Sequence, residues 1–247
     1  MNKRFEHKVV VITGGSDGIG LVTARHFAAE GAHVYITGRR QAPLDAAVKA
    51  IGHGAIGVQG DVARPGDLDR LYARIRHDHG KVDVVFANAG IHESRPLETI
   101  DEAHVDRMLG VNLKGLIFTV QKALPLMAAG GAVVLMGSSA GSKGIPSQSL
   151  YNASKAAVRS LARSWTVDLK EQGIRVNTIA PGGTETRLIR GFLDAQPGFE
   201  EELVQAVPLG RLGQPDEIAR AVLFLASTES SYVAGVELLV DGGYVAV

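Results

Sequence analysis

The sequence predicts an α/β fold: one doubly wound domain spanning residues 1–247, with a parallel seven-stranded sheet and helices on both faces. Short runs rich in Val and Ile alternate with longer amphipathic segments, which is the rhythm of βαβ units. Several runs are continuously apolar, as expected of strands covered on both faces. No repeat or linker-like segment divides the chain. The predicted strands are Lys8–Thr13, His33–Thr37, Ala55–Gln59, Val82–Phe86, Ala132–Met136, Arg175–Ile179 and Val236–Val240.

The segments between the strands predict helices, among them Leu21–Glu30 and Asp67–Asp78. One region interrupts the alternation. Between Pro181 and Pro215 a short helix, Glu185–Ala195, is followed by a turn and an acidic helix start. An insertion of this length in a compact fold is more often a functional lid than a connector, so residues 184–207 are predicted to cover a substrate.

The composition narrows the possible functions. Lys and Arg together number 26 and Asp and Glu also number 26, so no net charge attracts nucleic acid or an anionic membrane. The chain has no cysteine, which excludes disulfides, thiolate catalysis and zinc–cysteine sites. No clustered ligands suggest a metal, and no apolar segment approaches the ~18 residues of a membrane span. A cytoplasmic protein is expected.

A glycine-rich loop, TGGSDGIG, follows the first strand at Thr13 to Gly20. Its glycines allow a tight turn and a close approach to a diphosphate, which the free N–H groups of the following helix would face. The spacing is not GxGxxG, and a turn without a ligand is the alternative. The position after the first strand of a βαβ unit favours a Rossmann-type dinucleotide site. The residues predicted to bind cofactor here are Gly14, Ser16, Asp17, Gly18, Ile19 and Gly20.

Tyr151 and Lys155 are four residues apart in a helical pattern, so both side chains project from one face. Because an ammonium close to a phenol favours phenolate, the pKa of Tyr151 is expected to fall by roughly 1–3 units. The tyrosine would then serve as an acid or base near neutral pH. Ser138 follows a predicted strand and is the expected partner for a carbonyl, with Ser139 as the competing candidate.

Together these motifs resemble the short-chain dehydrogenase/reductase family, over essentially the whole chain and in order. Beyond the glycine loop, the matching segments are ANAG (87–90), VN (111–112), GSS (137–139), YNASK (151–155) and APGG (180–183). Ala87 departs from the pattern, which often has Asn there. The resemblance implies hydride transfer, with Ser138 orienting the carbonyl, Tyr151 as acid/base beside Lys155, and Asn112 holding a relay water. Asn112 could instead cap or kink its helix.

The resemblance also implies the remaining cofactor contacts. Asp61, with Val62, would meet the adenine, although Asp61 could instead cap the next helix. The other implied positions are Asn88, Ala89, Gly90, Pro181, Gly182, Thr184 and Thr186, the two threonines holding the carboxamide. Tyr151 and Lys155 are counted with the cofactor-binding residues as well. An apolar substrate pocket is predicted from His92, Ser139, Ile145, Leu188 and Phe192, with lid packing as the alternative for the apolar members.

Arg39 and Arg40 predict the cofactor. The second strand should end near Gly38, where NAD-binding relatives carry an acidic residue, and this chain has Arg39 next. A guanidinium can pair bidentately with a 2′-phosphate, so NADP(H) is expected, with Arg39 as the stronger candidate. Asp17 stands where many NADP-preferring relatives carry a basic residue, and this acid is expected to weaken the preference for NADP(H) without reversing it, since its carboxylate can turn to water. The alternative is that Arg39 and Arg40 are solvated residues at the start of a helix and do not bind the cofactor.

The leading function is therefore an NADP-dependent oxidoreductase acting on a ketone or secondary alcohol, similar to bacterial ketone reductases. A first alternative is reduction of 3-oxoacyl groups on a carrier protein, which would require a basic docking patch, with Arg107 and Lys114 as candidates. A second is a non-catalytic NADP(H)-binding sensor. The expected partner is a small carbonyl or alcohol substrate, and the resemblance implies a homotetramer.

Overall fold

A computed structural model describes residues 3–194 and 198–247. The seven predicted strands are confirmed and form one parallel sheet, in the order β3-β2-β1-β4-β5-β6-β7. Their bounds are Val9–Thr13 (β1), His33–Gly38 (β2), Ile56–Gln59 (β3), Val82–Ala87 (β4), Met127–Met136 (β5), Arg175–Pro181 (β6) and Glu237–Val240 (β7).

Helices connect the strands. They are Gly18–Ala29 (α1), Gln41–Ile51 (α2), Pro65–His79 (α3), Glu102–Leu109 (α4), Leu116–Ala123 (α5), Ser149–Asp168 (α6), Arg187–Asp194 (α7), Phe199–Ala206 (α8) and Pro215–Ala226 (α9). A π-helical turn, Gly110–Gly115, joins α4 to α5. No helix in the described part of the chain is both long and apolar enough to cross a membrane.

The sheet separates two hydrophobic cores, which explains why its strands are apolar at successive positions. In β1, Val10 and Ile12 face a core that includes Phe27 of α1 and Val222 of α9. Their neighbours in β1 face the opposite core, to which α3, α5 and α6 contribute. All five residues of β1 are buried. The prediction of helices on both faces is thus confirmed.

The strand order places a crevice between β1 and β4. Chain connections run outward from β1 through β2 to β3, and then from β4 in the other direction, so the loops after β1 and β4 diverge. In doubly wound sheets ligands bind in this crevice, beyond the carboxyl ends of the strands. The Thr13 hydroxyl ties the two strand ends together by accepting hydrogen bonds from the backbone N–H groups of Asn88 and Ala89, both at 3.1 Å.

Most boundaries differ from the sequence prediction by one to three residues, and the differences in β5 and α7 are the most informative. Strand β5 begins at Met127 rather than Ala132. The sequence did not predict its first residues as strand because they are rich in Ala and Gly, mostly exposed, and include no β-branched residue. In the predicted lid, α7 begins at Arg187 rather than Glu185, because the Thr186 hydroxyl accepts a hydrogen bond from the Ile189 N–H (3.3 Å) and so caps the helix. The predicted end of that helix, Ala195, and the following Gln196 and Pro197 lie outside the described residues.

Candidate active site

A cavity of about 570 Å³ lies at the carboxyl ends of the strands, where the crevice opens. It extends from the glycine loop and the end of β2, past the start of α6, to helices α7 and α8. Every site residue predicted from the sequence lines it except Asn112, which is buried next to Gly90. One cavity therefore joins the predicted cofactor and substrate residues.

The glycine loop is shaped so that its glycines cannot carry side chains. Gly14 has a φ of +65°, and a Cβ there would lie 3.0 Å from the Ala89 Cα. A Cβ on Gly20 would lie 2.5 Å from the Gly14 carbonyl oxygen. Asn88 closes the other side, its amide donating to the Thr13 carbonyl at 2.9 Å. The backbone thus forms an open cradle at the N-terminus of α1, which suits an anion such as a diphosphate.

The Asp17 carboxylate contacts two protein groups, whereas the sequence alone allowed it to turn to water. Its Oδ1 accepts a hydrogen bond from the Gly18 N–H at 2.8 Å and caps α1, the interaction that a carboxylate favours at a helix N-terminus. Its Oδ2 pairs with the Arg187 guanidinium of α7 at 2.5 Å. The acid in the glycine loop is therefore matched by a base from the predicted lid.

Arg39 and Arg40 are exposed at the cavity edge, just beyond the end of β2. Within the described residues no ion pair involves either guanidinium, although the Gln59 side chain donates to the Arg39 carbonyl at 3.0 Å. Asp61 and Val62 lie beside them after β3. Asp61 makes a local turn, in which its carboxylate accepts from the Ala63 N–H at 3.0 Å, yet it still lines the cavity.

Ser138, Tyr151 and Lys155 come together because the turn after β5 packs tightly on α6. A Cβ on Gly141 of that turn would lie 3.0 Å from the backbone nitrogen of Ala156, so glycine is needed for this contact. The Ser138 side chain lies next to Tyr151, close enough to lower the pKa of the phenol. Lys155 is only 3% exposed, and its Nζ lies 5.6 Å from the centroid of the Tyr151 ring.

The expected lowering of the tyrosine pKa is wrong for this structure. Burial raises the pKa of Tyr151 above its usual value, and the neighbouring Ser138 hydroxyl only partly opposes this. Lys155 gives little compensation, because its Nζ donates to the Met136 carbonyl at 2.9 Å instead of to the phenol. Burial lowers the pKa of Lys155 itself to about 8. Tyr151 is consequently a protonated phenol at neutral pH.

Asn112 sits in the π-helical turn and is 1% exposed. Its Oδ1 accepts from the Ile91 N–H at 2.9 Å and its Nδ2 donates to the Ile91 carbonyl at 3.0 Å. A third contact runs from Nδ2 to the Ser154 hydroxyl at 3.3 Å. The side chain thus fixes the loop after β4 and positions it against α6. Its role in a water relay stays a prediction.

The loop after β6 carries the last predicted cofactor residues. Thr184 is 5% exposed, its hydroxyl donates to the Gly182 carbonyl at 3.0 Å, and the residue lines the cavity. Thr186 caps α7 and approaches the glycine loop, since a Cβ on Gly18 would lie 3.3 Å from its methyl group. Pro181 and Gly182 complete this wall.

The predicted substrate residues His92, Ser139, Ile145, Leu188 and Phe192 line the end of the cavity formed by α7 and the start of α6. His92 packs edge-to-face on Tyr151, with ring centroids 4.7 Å apart, and on Phe192 at 4.9 Å. Burial lowers the pKa of His92, and a hydrogen bond with the Gln148 side chain opposes that shift. The imidazole is therefore a neutral part of the wall.

Sequence reasoning missed several residues of the site. They are Gln148, Arg187, Phe199, Leu203 and Tyr244, all of which line the cavity. Gln148 had a usable signal, since it lies three residues before Tyr151 and precedes α6. The others come from the lid and the C-terminal segment, where only the tertiary fold brings them to the cavity.

Comparisons with known proteins agree with this geometry. The family model described as enoyl-(acyl carrier protein) reductase matches residues 14–245. The chain is 47% identical over 243 residues to the oxidoreductase asL5 of Sarocladium schorii, covering 98% of this chain and 97% of that protein. It is 37% identical over 255 residues to the NADP-dependent (R)-specific alcohol dehydrogenase of Lentilactobacillus kefiri, covering 100% of both. The crystal structure of levodione reductase, 33% identical, gives a TM-score of 0.94 and covers 99% of this chain and 100% of that one. A match of this extent shows the family: the chain belongs to the short-chain dehydrogenases/reductases, oxidoreductases that use NAD(P)(H).

Proposed function

We propose that this protein is an NADP(H)-dependent oxidoreductase that interconverts a ketone and a secondary alcohol, with Tyr151 as the general acid/base. The observation that carries the proposal is the convergence of Ser138, Tyr151 and Lys155 at one cavity, where burial keeps the Tyr151 phenol protonated. A protonated phenol beside a second hydroxyl is the arrangement that ketone reduction requires, because the carbonyl oxygen must receive a proton.

The residues present fit a phosphorylated dinucleotide. The cradle at Gly14 and Gly20 has no room for a Cβ, and Arg39 offers an exposed guanidinium at the end of β2. No carboxylate follows β2 to accept from a ribose hydroxyl and repel a phosphate. The cofactor, when bound, supplies the hydride. The name of the Lentilactobacillus kefiri relative supports the choice of NADP(H).

The protein's own groups then orient the substrate and supply a proton. Ser138 donates a hydrogen bond to the carbonyl oxygen and holds it next to Tyr151. Tyr151 donates its proton to the same oxygen in reduction and accepts it back in oxidation. Lys155, with a pKa of about 8, is a buried group able to exchange a proton near neutral pH and to reprotonate this region.

Reduction of an acyl group on a carrier protein is the weaker candidate. Docking an acidic carrier needs unpaired positive charge near the cavity mouth. Arg107, one of the two basic residues considered for that patch, is already paired with Glu93 at 3.0 Å. Lys114 is exposed, but one lysine makes a weak docking surface. A silent sensor is also disfavoured, because Ser138 and Tyr151 are assembled for proton transfer.

The deciding experiment measures NADPH and NADH oxidation over a panel of ketones with the wild-type protein and Tyr151→Phe. Turnover by the wild type and loss of at least a thousandfold in Tyr151→Phe, with unchanged NADPH binding, would support the proposal; general acid catalysis alone contributes about 10²–10⁴-fold. Binding of NADPH without turnover in either protein would instead indicate a sensor. Full turnover by Tyr151→Phe would refute the acid/base role.

A further inference from the structure

Three aromatic rings extend from the catalytic tyrosine into the lid. Tyr151 contacts His92, His92 contacts Phe192, and Phe192 contacts Phe199, with centroids 4.7, 4.9 and 5.3 Å apart. All three pairs are nearly perpendicular, with interplanar angles of 86°, 86° and 85°. We call His92, Phe192 and Phe199 the aromatic slot. It joins the loop after β4 to α7 and α8, so three separate elements contribute these rings to the cavity wall.

His92 is fixed in place at the centre of this row. Gln148 is 6% exposed and lies beside the imidazole, where it opposes the lowering of the His92 pKa, while Asn112 holds both backbone groups of the preceding residue, Ile91. These contacts restrict the His92 ring, which packs nearly perpendicular to both Tyr151 and Phe192. A rigid ring next to the reacting hydroxyl restricts which substrate shapes can approach it.

The remaining walls of the slot carry no charge that a substrate could use. Among the described residues that line the cavity, the charged ones are Asp17, Arg39, Arg40, Asp61, Lys155 and Arg187. The first four lie on the cofactor side, at the glycine loop and after β2 and β3. Lys155 donates to Met136, and Arg187 is paired with Asp17. A carboxylate or phosphate on the substrate would lose its hydration here without gaining a partner, which is costly.

We infer that the substrate is an uncharged ketone or secondary alcohol whose carbonyl or carbinol carbon is attached to an aromatic ring, and that His92 and Phe192 determine this specificity. The inference rests on the proposed function and deepens it. An aryl group that packs against these rings from the cavity side makes edge-to-face contacts that a saturated ring of equal size cannot make, because only the aryl ring has a π face. Ile145 and Leu188 add apolar side chains to the cavity wall, and an aromatic or a saturated substrate ring would contact them equally well.

The test compares kcat/KM for three ketones: phenyl methyl ketone, cyclohexyl methyl ketone and 4-acetylbenzoate. The two neutral ketones have the same carbon skeleton and differ in the π face, whereas the third adds a carboxylate. The wild type should prefer the phenyl ketone to the cyclohexyl ketone by about three- to tenfold, the size of one or two aromatic contacts. It should reject 4-acetylbenzoate by about a hundredfold or more, the effect of an unpaired buried charge.

Variants assign the preference to the slot. Phe192→Leu and His92→Leu keep apolar volume but lose a ring, so the phenyl-to-cyclohexyl ratio should fall towards one, chiefly through KM. His92→Phe restores a ring and should restore the ratio. Phe224→Leu makes the same exchange on the outer face of α9, away from the cavity, and should leave the ratio unchanged.

Two results would overturn the inference while leaving the proposed function intact. One is reduction of the cyclohexyl ketone as fast as the phenyl ketone by the wild type. The other is a phenyl preference that survives in both Phe192→Leu and His92→Leu. A protein that binds NADPH but reduces no ketone and oxidises no alcohol would refute the proposed function, and the inference with it.

Discussion

The carboxylate of Asp17 in the glycine loop pairs with the guanidinium of Arg187, the first residue of α7, at 2.5 Å. The pair spans 170 residues of sequence and joins the cofactor side of the cavity to the predicted lid. Both side chains are about half exposed or more, at 48% and 68%, so the pair contributes little to global stability. Its effect is local: Arg187 offsets a negative charge that Asp17 places beside the diphosphate cradle.

Removing Arg187 and removing the charge of Asp17 should therefore change the affinity for the cofactor in opposite directions. Arg187→Ala leaves Asp17 uncompensated and should raise the Kd for NADPH about two- to fivefold, as expected for one partly screened charge. Asp17→Asn should lower it. The double variant Asp17→Asn/Arg187→Ala should bind NADPH nearly as the wild type does. Fluorescence titration at low and high salt measures these constants, and both single effects should shrink with salt. Equal Kd values in all four proteins would show that the pair has no such role.

The Asp17–Arg187 pair could not be predicted from the sequence. The glycine loop, Tyr151 and Lys155 were predictable because local geometry sets their spacing: a tight turn after a strand, and two residues one helical turn apart. The position of Arg187 depends on how the segment after β6 folds back over α1. No local pattern encodes that path, so Asp17 was expected to turn to water.

The strands were predictable for a similar reason. Burial on both faces leaves a continuous apolar run such as Val9–Thr13, which needs no knowledge of its neighbours. The direction of the Tyr151 pKa shift could not be predicted from the sequence, since it depends on burial and on where Nζ of Lys155 points. In the folded protein that amine donates to Met136, so the charge that should favour phenolate is directed elsewhere.

The position of Ser138 beside Tyr151 gives a prediction for the pH profile. The Ser138 hydroxyl lowers the pKa of Tyr151 against the raising effect of burial, so Ser138→Ala should raise that pKa further. In alcohol oxidation, where phenolate is the active base, kcat/KM rises with pH through that pKa. Ser138→Ala should reduce the rate about a hundredfold, as for loss of one donor to a developing oxyanion, and should shift the rise to higher pH.

Ser139→Ala is the matched control for this experiment. Ser139 lines the same cavity and is equally close in sequence, but no hydrogen bond from it affects Tyr151. Its variant should keep the pH at which the rate rises. If Ser139→Ala shifted the profile and Ser138→Ala did not, the assignment of the two serines would have to be exchanged.

Burial of Lys155 predicts a pH-dependent cost to stability. The pKa falls from 10.5 to about 8 on folding, so below pH 8 the folded state must hold a buried ammonium that the unfolded state hydrates freely. Between pH 8 and 10.5 the unfolded chain binds more protons than the folded one, and stability rises with pH. For a side chain only 3% exposed, the gain across this window is on the order of 3 kcal/mol.

Lys155→Met removes this titration and should remove the slope. The free energy of unfolding, measured by urea denaturation, should therefore rise with pH more steeply in the wild type than in Lys155→Met, and the two curves should converge or cross above pH 8. Comparing the proteins at each pH cancels the titration of other groups. Parallel curves from pH 7 to 10.5 would mean that Lys155 keeps its ordinary pKa in the folded protein.

Arg39 gives the prediction for cofactor choice. A guanidinium paired with the 2′-phosphate makes charge-assisted hydrogen bonds worth about 1.5–3 kcal/mol, or roughly ten- to a hundredfold in relative affinity. Arg39→Ala should therefore reduce the ratio of kcat/KM for NADPH to that for NADH by about this factor. Arg40→Ala should reduce it less, because Arg40 stands one residue further from the end of β2 and begins α2 as its N-cap residue.

Arg25→Ala provides the control for charge alone. Arg25 is exposed on α1 and does not line the cavity, so its removal lowers the net charge by one without touching the cofactor site. The NADPH-to-NADH ratio should be unchanged in that variant. A ratio in Arg39→Ala equal to that of Arg25→Ala would place the selectivity outside the end of β2, whereas a loss confined to Arg39→Ala would identify this guanidinium as the group that distinguishes the two cofactors.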